Sequence, residues 1–230
     1  MIFCAMYCSK VYAQGGGPPM LTDDPGTVNY HQWEINTSVN SYVTNNVQLA
    51  MPYVDANYGV TSNLQLKAEA PYLLTFNHHT SGNFGDVILG IKYQFIDEDK
   101  KHFLSASIYP QQTITGDQKG FLFPALLEKT IGKWMIGEEI GYFFSAMNNA
   151  SIINGNLLGY IVSDKLQIMG EYFMQHYFHP QKTEGFMNYG FRYMLNKTFT
   201  LMGSFGTQVV TPTNEQRQYF ISFLGIQSDF

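Results

Sequence analysis

Charge is scarce in this chain. Asp, Glu, Lys and Arg make up only 13% of its 230 residues, about half the share of a soluble domain. So few charges cannot easily cover a surface that meets water on every side. Long apolar runs are also missing. Beyond the first dozen residues no stretch approaches the ~18 consecutive apolar residues that a spanning helix needs, and mean hydropathy is −0.14, which excludes a helical membrane protein. Cysteine is confined to Cys4 and Cys8. If the first residues are removed, disulfides and thiol-based zinc chemistry go with them. Positive charge is the minority sign, 13 Lys and Arg against 18 Asp and Glu for a net −5, so a nucleic-acid partner, which needs a basic surface, is excluded.

What the chain has in quantity is aromatic. Eighteen Phe, sixteen Tyr and two Trp make up 16% of it. Few charges, many aromatics and no long apolar run suit a transmembrane β-barrel, in which only alternate residues face lipid. An aromatic-rich soluble β-sandwich has nearly the same composition, so the pattern along the chain must separate the two.

Three regions follow from that pattern. Residues 1–14 are apolar and end Val11-Tyr12-Ala13 ahead of Gln14. This reads as a signal peptide whose basic start is missing and therefore truncated, with a disordered cytosolic tail as the alternative. Residues 15–30 hold three consecutive glycines, two prolines and then Leu21-Thr22-Asp23-Asp24-Pro25-Gly26, turn chemistry without a period. They form an irregular leader, either a passive linker or a plug in the periplasmic mouth of the barrel. Residues 31–230 are the barrel itself.

From Trp33 the chain alternates with period two: Trp33, Ile35, Thr37, Val39 and Ser41 against Glu34, Asn36, Ser38 and Asn40, a strand with one greasy and one wet face. The alternation recurs in 52–60, 64–70 and 87–95, and further strands are expected near 103–109, 121–129, 134–144, 152–162, 166–174, 186–194, 199–205 and 218–230. In the strand near 134–144, Glu138 and Glu139 are adjacent and cannot both face inward. Short polar turns such as Thr61-Ser62-Asn63, Gly132-Lys133 and Ser163-Asp164-Lys165 alternate with longer connections near 43–51, 71–84, 110–120, 145–151, 175–185 and 206–217. An up-and-down outer-membrane barrel has short periplasmic turns and longer external loops, whereas a Greek-key sandwich has no reason to keep such alternation. Pro52, Pro71, Pro110, Pro180 and Pro212 fall in or beside the long connections, with Pro124 a few residues inside a strand from the same rim. That is where a residue without an N–H belongs. Units of roughly 17 residues give about twelve strands. The expected fold is therefore all-β: a single closed antiparallel barrel of about twelve strands in the bacterial outer membrane. Its partners are the surrounding lipid and, through a last strand ending at Phe230, the barrel-insertion machinery.

Several segments resemble one known group: Leu21-Thr22-Asp23-Asp24-Pro25 followed by Trp33-Glu34-Ile35-Asn36; Tyr58-Gly59-Val60-Thr61-Ser62-Asn63-Leu64-Gln65-Leu66; Gly85-Asp86-Val87-Ile88-Leu89-Gly90-Ile91-Lys92-Tyr93-Gln94-Phe95; and Leu224-Gly225-Ile226-Gln227. In these the chain resembles the meta-pathway phenol-degradation family of outer-membrane barrels. The resemblance implies a channel or transporter for small, aromatic or apolar solutes, and carries no functional residues with it.

In a barrel the lumen-facing residues carry function. The inward set expected here is Asp55, Asn57, Gln65, Lys67, Glu69, Lys92, Gln94, Gln167, Glu171 and Arg192. Asp55, Lys67, Glu69 and Lys92 fall on three consecutive strands and would form a charged ladder. That ladder either lines a permeation path or fills a narrow barrel with ion pairs, because a charge kept from water needs a partner. Other chemistry is thin. His176-x-x-His179 and His78-His79 do not supply a fixed set of three or four metal ligands. His102 with Ser105 or Ser107 lacks a third member for nucleophilic catalysis. No cofactor, metal or enzymatic activity is expected. Besides a channel, the readings left are a structural or partner-binding barrel and, behind it, a lipid-modifying enzyme.

Overall fold

The computed structural model describes residues 17–43, 47–76, 80–98, 102–115, 119–145, 150–179, 181–211 and 219–230. The expected signal segment, His78-His79, Pro180 and Pro212 lie outside them.

Fourteen β segments follow one another: β1 (Trp33–Val43), β2 (Val47–Thr61), β3 (Leu64–Phe76), β4 (Thr80–Phe84), β5 (Ile88–Ile96), β6 (Ser105–Ile108), β7 (Gln111–Thr113), β8 (Gly120–Ile131), β9 (Trp134–Ser145), β10 (Ala150–Ser163), β11 (Leu166–Phe178), β12 (Gln181–Met194), β13 (Phe199–Val210) and β14 (Phe220–Asp229). All pairings are antiparallel. Both β4 and β5 pair with β3, and both β6 and β7 lie between β5 and β8, so these two couples are broken strands and fourteen segments make twelve staves. The sheet closes where β1 meets β14, from Glu34↔Asp229 to Val43↔Phe220. Trp33 and Phe230 complete the seam by exchanging backbone hydrogen bonds of 3.0 and 2.9 Å. Closure pairs every stave on both sides; among the described residues the short segment β4 alone is paired on one side, with β3.

Proline explains the break between β6 and β7. Pro124 in β8 faces Tyr109-Pro110 in the neighbouring stave, and neither proline can donate to the ladder. Tyr109 N instead donates to Pro124 O at 2.9 Å, and Ile91 N donates to Pro110 O at 3.0 Å. In β2, Pro52 sits where the register slips between Ala50 and Tyr53.

The outer face carries the expected apolar set. Ile136, Ile140, Leu158, Ile168 and Leu224 are each between 47% and 60% exposed. At the short-turn rim Trp33 packs on Tyr58 and Trp134 on Tyr160, with ring centroids 4.8 and 4.7 Å apart. At the opposite rim Phe121, Phe123 and Phe144 stack with centroids 5.5–6.3 Å apart. Two aromatic bands bounding an apolar belt are the external signature of a membrane barrel. The adjacent glutamates divide: Glu139 is buried inside, while Glu138 is exposed on the outer face, opposite Asn156 of β10 and Leu127 of β8. At the long-loop rim the strands run further than the alternation alone shows. Val47–Met51 and Tyr72–Phe76 belong to β2 and β3; Val47–Ala50 pair with Leu73–Phe76, and Tyr72–Phe76 pair on the other side with β4. Hydrogen bonding continues there after the apolar–polar contrast has faded.

Candidate luminal site

The interior is polar, and it is occupied. From Asn29 the leader enters the lumen at the short-turn rim, climbs to mid-barrel and doubles back, with Gly17 N donating to Thr22 O at 2.8 Å across the turn. Thr22 is completely buried, and Met20, Asp24 and Val28 are at least nine-tenths buried. Wall glycines make the space. A Cβ at Gly59 would lie 2.0 Å from Asn29 O, and one at Gly155 would lie 2.3 Å from Thr22 Oγ1. No side chain other than hydrogen fits either place while the leader is there.

Wall side chains hold the leader mainly by its backbone. Glu171 accepts from Leu21 N through Oε1 and from Thr22 N through Oε2, both at 2.8 Å, and Oε1 also accepts from Asn188 Nδ2 at 2.9 Å. Glu139 Oε2 accepts from Asp23 N at 2.8 Å, and Gln65 Oε1 from Val28 N at 2.9 Å. Arg192 donates from Nε (2.9 Å) and Nη2 (2.6 Å) to Pro18 O, and Ser204 Oγ donates to Pro19 O at 2.7 Å. Lys92 Nζ reaches Asp23 Oδ1 at 2.9 Å and Asp24 O at 2.7 Å. One apolar contact joins them: Met20 packs against Met135, Leu157 and Met169.

The charged ladder forms, with a member that pattern reading omitted. Lys67 Nζ lies 2.6 Å from Glu69, 3.7 Å from Asp55 and 3.8 Å from Asp23. Lys92 pairs with Asp23 of the leader. Burial alone would raise the Asp23 carboxyl; Lys92 and Lys67 outweigh it and hold that carboxyl below its usual range. The Tyr109 ring lies under both cations, 5.3 Å from Lys67 Nζ and 4.8 Å from Lys92 Nζ. Below the ladder Gln65 donates to Asn57, Asn57 to Asp55, and Asn36 to both Asp55 and Glu34. Gln167 is buried with its amide against Met135 Sδ, whereas Gln94 is only half-buried and joins no part of this network. Acidic groups predominate: Asp24, Glu34, Asp55, Glu69, Glu139 and Glu171 are buried, against Lys92 and Arg192 and the nearly buried Lys67.

Above the leader, toward the long-loop rim, lies a cavity of about 370 Å³. Its floor is Pro18 to Leu21 and Asp23, with Glu139, Glu69 and Lys67 at the base; its upper wall includes Tyr42, Leu122, Phe143, Ile153, Phe173 and Phe223. Inward-facing aromatics and aliphatics at this height were not expected, because an inner wall was read as uniformly polar. The other candidates do not assemble. Among the described residues no group of three or more His, Cys, Asp or Glu could hold a metal, and His176 Nδ1 bonds Thr183 Oγ1 at 2.8 Å. Ser105 Oγ accepts from Glu98 N, Ser107 is buried, and His102 is exposed, with no hydrogen bond joining it to either serine.

This architecture matches solved outer-membrane barrels. The KdgM porin aligns with a TM-score of 0.62 at 8% identity over 85% of this chain and 99% of its own. The NanC porin gives 0.64 at 8% over 84% and 98%. The CymD monoaromatic hydrocarbon channel gives 0.51 at 8% over 88% and 89%. The fold is that of the outer-membrane porins and channels. No family model and no curated protein matches the sequence, so the likeness to the phenol-degradation barrels gains no support beyond the fold.

Proposed function

We propose that the chain is a channel of the bacterial outer membrane for passive passage of small solutes, without enzymatic activity, and that its leader hairpin sets the constriction. One observation carries the reading: a non-strand segment crosses the lumen and is held there chiefly by hydrogen bonds and ion pairs. Bonds of that kind can be exchanged singly for bonds to water or solute, at about 0.5–3 kcal/mol each, so a permeating solute need replace only those in its path. A closed barrel needing only a filler would be served by apolar side chains. The excess of buried acids favours cations over anions in the path. The solved barrels of the same fold bear the names of porins and of a hydrocarbon channel, which agrees with passage of solutes and leaves their class open.

The test is single-channel recording of the refolded protein in planar bilayers. Wild type is compared with a variant lacking residues 17–29, after unboiled gels establish that both are folded. The expected result is a cation-selective conductance that increases when the hairpin is removed. A folded barrel that conducts nothing, with or without the hairpin, refutes the channel; equal conductance in both refutes the role of the leader.

A further inference from the structure

Glu139 is 3% exposed and faces the cavity above the leader. Its Oε2 accepts the Asp23 amide. Among the described residues its carboxylate has no other hydrogen bond and no cation within ion-pair distance, the Asn154 amide donating to its backbone carbonyl instead, whereas Glu69 and Asp55 share Lys67. A carboxylate that deep without a counter-charge is costly. The groups nearest in the cavity base offer no relief: Lys67 is committed to Asp55, Glu69 and Asp23, and Lys92 to Asp23. Over this acidic base stand Leu122, Phe143, Ile153, Phe173, Ile221 and Phe223. The volume, about 370 Å³, falls within the ~300–1,000 Å³ of small-molecule sites.

We propose that this cavity is a binding site for a small organic ammonium ion. Its charged head pairs with the free Oε1 of Glu139, and its apolar or aromatic body lies among the phenylalanines. The ammonium supplies the missing counter-charge, and ring faces favour a cation beside them. A neutral aromatic would fill the apolar wall and leave Glu139 unpaired, and a carboxylate would add a further negative charge to an acidic base. The site gives the proposed channel a preferred solute class, and in that sense rests on the channel reading.

Binding is measured directly, so that it does not depend on conduction. The full-length barrel in detergent is titrated by calorimetry with benzylammonium, benzyl alcohol and benzoate, and the same compounds are tried as blockers in bilayers. Benzylammonium is expected to bind at least about tenfold more tightly than benzyl alcohol, the margin of one charge-assisted hydrogen bond. That margin should disappear in Glu139→Gln, which keeps an acceptor for the Asp23 amide. Phe173→Ala should weaken benzylammonium and benzyl alcohol alike. Equal binding of alcohol and ammonium, an unchanged preference in Glu139→Gln, or no binding of any probe to a folded barrel overturns the proposal. Ammonium binding by a barrel that never conducts would uphold the site and refute the channel.

Discussion

Replacing Glu171 by Ala should loosen the leader without unfolding the barrel. Glu171 is the anchor at the top of the hairpin, where its two oxygens take the amides of Leu21 and Thr22 at 2.8 Å. Thr22 is fully buried, so its amide cannot turn to bulk water while the hairpin stays docked. A hydrogen bond to a charged group contributes about 1.5–3 kcal/mol, so two of them hold the leader by about 3–6 kcal/mol. The lower figure already raises the undocked population about 100-fold. Hydrogen exchange read on peptides covering 17–32 reports that population, because an amide bonded to the wall exchanges only when the segment opens. Exchange of Leu21, Thr22 and Asp23 should accelerate about 100-fold in Glu171→Ala. Glu171→Gln, which keeps one acceptor oxygen and loses the other, should give a smaller effect, about tenfold. Amides in the middle of β9 and β10, which bond strand to strand, should not change. Leader exchange as slow in Glu171→Ala as in wild type, in a barrel that still shifts on unboiled gels, would refute this anchoring.

Gly155→Val, in the strand beside that of Glu171, should expel the hairpin, because its Cβ would meet Thr22 Oγ1 at 2.3 Å; fast leader exchange with intact strand protection is the expected readout, and a protected leader would mean that the wall yields instead. Exchanging Lys67 and Lys92 for Gln removes two of the three buried or nearly buried cations among the described residues, and in a conducting protein it should move the reversal potential in a KCl gradient further toward cations; unchanged selectivity would reduce the ladder to packing. Glu138→Leu should stabilise the barrel against urea in bilayers by about 1–2 kcal/mol, since an outward carboxylate within the lipid belt is destabilising; a loss of stability would point to a partner for Glu138 on the outer face.

The twelve staves were legible because lipid imposes a strict rule. Only one face of each strand is allowed to be greasy, and period two shows this wherever lipid is present, as in Ile35, Thr37 and Val39 against Asn36 and Ser38. Where lipid stops, the rule stops, so Val47–Met51 and Tyr72–Phe76 resembled loop although Val47–Ala50 pair with Leu73–Phe76 and Tyr72–Phe76 with β4. The inward position of Asp55, Lys67, Glu69 and Lys92 was readable for the same reason. Their partner Asp23 was not, because Asp23-Asp24-Pro25-Gly26 has no period and its chemistry is that of any turn. A weaker signal was present in the wall: Gly59, Gly155 and Gly190 all turn inward from strand interiors, where a glycine signals close approach of something else. In this barrel the approaching group is the leader, at Asn29, Thr22 and Met20.

That pairing of wall and leader bears on how the lumen is kept. A barrel of twelve strands has room for more than its own side chains, and here the spare volume is divided at mid-height. Below, the leader runs in a groove cleared by glycine and is bound by polar side chains from β3, β5, β9, β11, β12 and β13. Above, Phe143, Phe173 and Phe223 share the cavity wall with polar side chains such as Asn40, Gln111 and Gln175. The same two glutamates belong to both halves of the problem. Glu171 spends its oxygens on the leader and Asn188, whereas Glu139 gives one to the leader and has one left facing the cavity. A ligand cation at Glu139 would therefore draw on the carboxylate that also holds Asp23. Binding above and docking below are thus linked thermodynamically, and each must alter the other by the same factor. If benzylammonium slows leader exchange, the two share Glu139 cooperatively; if it speeds exchange, the solute competes with the constriction and opens its own path. Leader exchange that is indifferent to a saturating ligand would mean that the two oxygens act independently and the cavity is a site without consequence for the hairpin.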